Sequence, residues 1–344
     1  MKLCDILAEK REFRVAFIGG SLTQGAGASK RDNRYTSRVT AYLNKRYPNT
    51  EFTEINAGIG GTPSAFGLFR FKADVLDKKP DMLFVEFAVN DGGNTSMYKY
   101  VEGILRAARR YDPKLPIVLL EAYSDELWCD ATREKMHPTV VEHTRIAEAY
   151  GAPVVYMGKA LYEMIQGYGG DKTFFLTDAV HPNDDGYKVY ADAVMTAIDG
   201  MDFGFDVPQK PVTGTELCPV MSLFGEDNVP EGWRLSHRTV GNGYKYLHTD
   251  EAGARLCFEF EGTACGLYTR IEKDGGRATA VIDGKDTYNI SFWDSYALSF
   301  DRDAFSLVAD GLEFGKHTVE ITVSADNDPK SEGHVARIVA FLAG

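Results

Sequence analysis

Over residues 1–200 short apolar runs alternate with stretches of helical period. Arg14–Ile18 (RVAFI), Glu51–Asn56, Met82–Val89 (MLFVEFAV), Ile117–Leu120 and Val154–Tyr156 read as strands. The third is a near-continuous apolar run, as expected of a strand covered on both faces. Between them, apolar residues recur at helical spacing: Tyr35, Val39, Tyr42 and Leu43; Val101, Ile104, Leu105 and Ala108; the 140–150 stretch; and Tyr187, Tyr190, Ala191, Val194 and Ile198. Strands alternating with helices predict a parallel sheet between two helical layers.

Past residue 204 the period changes from helical to two. Pro208, Pro211 and Gly214 lie in a linker-like stretch, and Leu256, Phe258 and Phe260 then alternate with Cys257, Glu259 and Glu261. Val319, Ile321 and Val323 alternate likewise, and Asp283-Gly284 between ATAVI and KDTYNI is a hairpin turn signal. With no long amphipathic helix in view, this part predicts an all-β sandwich or jelly roll of about 130 residues. The expected division is 1–204 and 205–344, and 344 residues is about two domains' worth of chain.

Charge narrows the partners. The net charge is −12, which speaks against a nucleic acid or an anionic membrane, since both demand a basic face. Residues 1–200 carry 25 basic against 27 acidic side chains and residues 201–344 carry 13 against 23, so the acidity lies in the β part. No apolar run approaches the length of a membrane span. Cys4, Cys129, Cys218, Cys257 and Cys265 are odd in number and lack metal-ligand spacing, which favours a reducing compartment. Asp5 and Glu9 interrupt the N-terminus where a signal peptide needs an apolar core, so the expected location is cytoplasmic.

In an open parallel sheet, ligands bind beyond the carboxyl ends of the strands. Gly19-Gly20-Ser21-Leu22-Thr23 follows the first strand, Asn56-Ala57-Gly58-Ile59-Gly60-Gly61 the second and Asn90-Asp91 the third; Asp178-Ala179-Val180-His181-Pro182 precedes the last helix. Acyl transfer needs this set. A serine hydroxyl attacks once an imidazole takes its proton, and the imidazole needs a partner that fixes its tautomer. Asp178 and His181, three apart, suit one turn. Asn90 offers a side-chain NH2 to a developing oxyanion, and a backbone N–H at Gly60 or Gly61 can approach without a Cβ in the way. Each piece alone has a plain structural reading: a turn after a strand, or a helix entry capped by Asn183. Their joint occurrence points to a serine hydrolase.

Other motifs fail. Thr23 breaks the Gly-x-Ser-x-Gly elbow. The run Gly25-Ala26-Gly27-Ala28-Ser29-Lys30 lacks the last glycine of a dinucleotide fingerprint and does not fit a phosphate loop. His137 and His143 have no third ligand candidate nearby and read as surface residues, so no metal or other cofactor is expected.

These residues resemble the four blocks of the SGNH (GDSL) hydrolases: Ser21 in Gly-Gly-Ser-Leu-Thr, Gly61 in Asn-x-Gly-x-x-Gly, Asn90 in Ala-Val-Asn-Asp, and Asp178-x-x-His181. The resemblance implies a flavodoxin-like three-layer α/β/α sandwich with a Ser21–His181–Asp178 triad. It also implies an oxyanion hole from the Ser21 and Gly61 amides and the Asn90 side chain. Gly20 stands where many members have Asp, and Ala88 replaces the Gly of the third block. A catalytic domain of this type followed by a β-sandwich is similar to carbohydrate esterase family 17, whose members deacetylate mannan oligosaccharides and carry a family 35-type carbohydrate-binding module.

The resemblance thus implies an O-acetylesterase acting on a neutral glycan oligosaccharide, with an oligomer possible. The alternatives are an esterase for another small acyl ester or an idle sugar-binding protein. Trp128, Trp233 and Trp293 are candidate sugar platforms. Trp293, in Ser-Phe-Trp-Asp-Ser-Tyr, is preferred because its neighbours predict a loop, and a short proline-bearing connection favours a β part that joins in substrate binding. Glu86, alone within the third apolar run, must be paired or face an edge.

Overall fold

The computed structural model describes residues 1–7, 10–128, 136–241 and 243–344, so Glu9 and Cys129 lie outside the described residues. It divides into two compact units, Met1–Glu216 and Leu217–Gly344.

The first unit runs α1 (Leu3–Leu7), β1 (Glu12–Gly19), α2 (Ser21–Gln24), α3 (Tyr35–Arg46), β2 (Glu51–Gly58), α4 (Ser64–Asp74), β3 (Met82–Glu86), α5 (Ala88–Asp91), α6 (Tyr98–Tyr111), β4 (Ile117–Leu120), α7 (Asp125–Trp128), α8 (Pro138–Ala149), β5 (Val154–Val155), α9 (Met157–Gly167) and α10 (Asp184–Ile198). The five strands form one parallel sheet in the order β2-β1-β3-β4-β5. Every residue of β3 and β4 is buried, because helices cover both faces. Helix α10 packs on α3 and α9 in one layer, and α6 packs on α4 and α8 in the other. The strand order reverses between β1 and β3, and the crevice at that switch point is where this class of sheet binds ligands.

Three expectations need adjusting. The third strand ends at Glu86, not Val89: Phe87 turns at ψ −1° and the apolar run continues into the single turn α5. Helix α4 escaped the periodicity reading because Ala65, Phe66, Leu68, Phe69, Phe71 and even Arg70 are buried, and a helix apolar nearly all round carries no face signal. The linker-like stretch belongs to the first unit, since the Glu102 carboxylate accepts the N–H groups of Val212 (2.7 Å) and Thr213 (2.8 Å) and Arg106 donates to the Pro208 carbonyl (3.0 Å). The chain therefore divides after Glu216 rather than after residue 204.

The second unit is all-β: β6 (Val220–Leu223), β7 (Arg234–Leu235), β8 (Leu247–Thr249), β9 (Arg255–Ile271), β10 (Gly276–Ile282), β11 (Asp286–Ser291), β12 (Arg302–Asn327) and β13 (Ala336–Ala343), joined antiparallel in the order β11-β10-β12-β9-β13-β8-β7 with β6 on β13. The long strands β9 and β12 lose register between Asp310 and Gly315. Bulges bend strands, and residues from both sides of the shift in each long strand line a common core. Leu256, Val319 and Ile321 beyond the bend share one core with Cys265, Leu267, Ile338 and Phe341 before it, and Phe258 stacks on Phe341 at 4.3 Å. The β10–β11 hairpin turns at Asp283 (φ +51°) and Gly284 (φ +68°), the left-handed pair that the turn signal called for.

Candidate active site

Ser21 stands where β1 ends and opens α2. The His181 ring reaches it from the loop before α10: Nε2 lies 2.9 Å from Ser21 Oγ, and Nδ1 lies 2.7 Å from Asp178 Oδ2. The other oxygen of Asp178 accepts the N–H groups of Val180 (2.9 Å) and His181 (2.8 Å). Burial works against ionisation of Asp178, but the Val180 amide, the His181 ring and the His181 amide outweigh it and hold the carboxyl below its ordinary range. The loop is closed by Thr177 N–H on the His181 carbonyl at 2.8 Å. It is anchored on α10 by Asn183, whose side chain accepts from Asp185 and Gly186 as the expected cap. The three residues named from the sequence are thus in one hydrogen-bonded line.

Gly60 and Asn90, from the two loops expected to carry oxyanion donors, come up to the same turn. Gly60 lies against Ser21, since a Cβ built on it would be 3.7 Å from Ser21 Cβ. Gly61 has φ +68°, a conformation that favours glycine. The Asn90 amide lies on the backbone of Gly20, where an added Cβ would fall 1.9 Å from Asn90 Oδ1. The glycine that departs from the family pattern therefore makes room for Asn90. Ala88, the second departure, is buried at the first position of α5.

Two residues with no part in the site expected from the sequence lie buried behind these loops. Arg70, fully buried on α4, donates to the carbonyls of Ala57 (2.6 Å) at the end of β2 and Gly19 (3.2 Å) at the end of β1, and pairs with Asp74 at 3.0 Å. His143 was expected at the surface; it is buried, with 1% of its side chain exposed. It lies on the stripe of α8 shared by Val140, Ile146 and Ala147, and that spacing was the available signal. Its Nε2 is 3.5 Å from Asp91 Oδ2 and its Nδ1 is 3.4 Å from Glu121 Oε1. Burial alone would lower its pKa, but the two carboxylates raise it to about 10.

Glu86 is buried at the end of β3 and accepts a hydrogen bond from Thr23 Oγ1 at 3.2 Å; that hydroxyl also meets Tyr35 OH at 2.8 Å. Burial pushes the Glu86 carboxyl up to about 8, opposed by the Thr23 bond and reinforced by Glu121 and Asp91.

The tryptophan expectation is corrected. Trp293 does lie in a loop, but it is 9% exposed and packs with Ile271, Ala297 and Ala304, so its ring offers no open face to a sugar. Trp128 and Trp233 are buried as well, with their ring N–H groups on the carbonyls of Ala122 (2.6 Å) and Arg255 (3.2 Å). Among the described residues no cluster of three or more His, Cys, Asp and Glu is placed to hold a metal, and no helix is long and apolar enough to cross a membrane.

Residues 17–189, half of the chain, match the GDSL-like Lipase/Acylhydrolase family. The chain belongs to this family. Its fold is similar, with a TM-score of 0.83 and 24% identity, to a two-domain esterase active on acetylated mannans that was co-crystallised with mannopentaose; the likeness covers 98% of this chain and 92% of that one. Shorter stretches match an A type blood α-D-galactosamine galactosaminidase of Flavonifractor plautii (34% identity over 101 residues, 28% of this chain) and the uncharacterized lipoprotein YqeF of Bacillus subtilis strain 168 (39% over 77 residues, 22% of this chain). The matched parts are 8% and 31% of those two relatives' lengths.

Proposed function

We propose that this GDSL-family hydrolase removes O-acetyl groups from a neutral glycan oligosaccharide, acetylated manno-oligosaccharides foremost, through an acyl-enzyme on Ser21. The observation that carries the reading is the line Ser21 Oγ–His181–Asp178, with contacts of 2.9 and 2.7 Å. Ser21 Oγ attacks the acetyl carbonyl carbon while its proton passes to His181 Nε2. Asp178, kept ionised by its own loop, stabilises the imidazolium. The carbonyl oxygen takes the negative charge among the Ser21 and Gly61 amides and the Asn90 side chain. When the tetrahedral centre collapses, the bond to the sugar oxygen breaks and that oxygen receives the proton from His181. Water then repeats the sequence on the acetyl-serine, releasing acetate and restoring the hydroxyl. Every group needed comes from the chain.

The glycan substrate is supported by a whole-length fold likeness to an esterase acting on acetylated mannans, and an acidic β unit is compatible with a neutral ligand better than with an anionic one. The test is deacetylation of an acetylated manno-oligosaccharide followed by NMR. Acetate release at a defined sugar hydroxyl is the expected result. Hydrolysis of a small activated acetate ester without any on the oligosaccharide would keep the esterase and remove the mannan substrate.

A further inference from the structure

Beneath the candidate oxyanion loops is a second aspartate–histidine–carboxylate line that the mechanism does not use. Asp91 closes α5, directly after Asn90, and is 3% exposed. Its Oδ1 accepts the backbone N–H of Ser64 at 2.8 Å. Ser64 opens α4, three residues after Gly61. One carboxylate thus holds both loops that supply oxyanion donors: it adjoins Asn90 in the chain and ties down the end of the Gly60-Gly61 segment. Its other oxygen faces His143 Nε2, and the opposite ring nitrogen faces Glu121, which follows β4. The surroundings of the ring come from three further directions. Tyr98 of α6 meets its edge at 5.8 Å, Thr139 of α8 donates to the Gly92 carbonyl just past α5, and Glu86 at the end of β3, pushed up by burial, is itself raised further by Glu121 and Asp91.

An imidazolium with a carboxylate facing each nitrogen is a two-sided ion pair, which neither an apolar residue nor a neutral amide reproduces. Leaving either carboxylate buried without it would be costly. These contacts of 3.5 and 3.4 Å are ion pairs, and the cost of leaving any one of the three buried charges uncompensated ties together the elements that carry them.

We propose that His143 is a positioning residue for the ester hydrolysis: held between Asp91 and Glu121, it fixes Asp91, and Asp91 fixes the Asn90 turn and the start of α4 so that the oxyanion donors stay in place. The inference rests on the reading of Asn90 as an oxyanion donor. Because His143 acts through the donors and touches no substrate, its loss falls on kcat and not on KM, and it is shared with the loss caused by removing Asn90.

The experiment is a double-mutant cycle on the full chain with an activated acetate ester. Asn90→Ala is expected to lower kcat by about 10²–10³. His143→Gln is expected to lower kcat by about tenfold with KM within twofold of the parent, and the double variant to be no slower than Asn90→Ala by more than about twofold, because coupled sites are not additive. Losses that multiply in the double variant would mean that His143 supports the fold without acting through Asn90, and would overturn the inference while leaving the site intact. A parental kcat in His143→Gln would overturn it directly. A parental kcat in Asn90→Ala would overturn the reading of the site, and the inference with it. If His143→Gln does not fold, Asp91→Asn takes its place in the cycle with the same outcomes, since its amide oxygen still accepts from Ser64.

Discussion

His181 and His143, both in the first unit and both set against a carboxylate, differ in every physical respect that matters. His181 keeps 26% of its side chain exposed, takes its aspartate from three residues earlier in the chain and bonds at 2.7 and 2.9 Å. His143 is 1% exposed, draws Asp91 and Glu121 from 52 and 22 positions upstream, and sits at 3.5 and 3.4 Å from them. The open ring can pass a proton between a serine and a substrate. The closed ring, flanked by acid on both sides and held in its charged form, has nowhere to send one. The same side chains give a reactive line at a strand's end and a brace beneath it, and burial decides which.

The largest expected effect tests the reactive line. Ser21→Ala should lower kcat by about 10⁴ or more with the fold unchanged by circular dichroism, and His181→Ala should be comparable, since members of such a line act as a unit. Parental turnover in either variant would break the distinction between the two histidines. Asn90→Ala stands next, with a kcat loss of about 10²–10³ and KM nearly unchanged; a tenfold rise in KM at constant kcat would make Asn90 a ground-state contact.

The open line was legible because chemistry and chain proximity coincide in it. Asp178-x-x-His181 is a local pattern, and Gly20-Ser21 and Asn90 each follow a readable strand. The brace was not legible. Its members come from α5, the end of β4 and α8, and no spacing in the chain announces that these meet. His143 lies on the apolar stripe of its helix, where a lone histidine reads as an exception in either direction. Arg70 was hidden for a related reason, since α4 is buried nearly all round and shows no polar face. The β unit was legible from its period-two strands and its Asp283-Gly284 turn, whereas the depth of Trp293 depended on the packing of Ile271, Ala297 and Ala304 around it.

Smaller effects sharpen the contrast between exposed and buried groups. Trp293→Ala should destabilise the second unit by about 3 kcal/mol, read as a fall in unfolding midpoint. KM for the oligosaccharide should hold among the molecules that remain folded. A tenfold rise in KM without loss of stability would return Trp293 to the substrate.

Glu86 tests burial through pH. Burial pushes the Glu86 carboxyl from the ordinary 4.5 up to about 8. Between those values the unfolded chain has released a proton that the folded chain keeps. The contribution of Glu86 is therefore intact below about pH 4.5 and declines as pH rises to about 8. Glu86→Gln should flatten that part of the stability profile, and an unchanged slope would place the titration elsewhere. Least of all, chelator treatment should leave the rate where it was; a loss restored by zinc or calcium would assign a metal role that the serine line does not require.

The most direct measurement follows an acetylated manno-oligosaccharide by NMR with the parent chain and with Ser21→Ala at equal concentration. Steady acetate release by the parent and none above background by the variant is the expected result. Equal release by both, or none by the parent on any acetate ester, would contradict a Ser21-centred esterase.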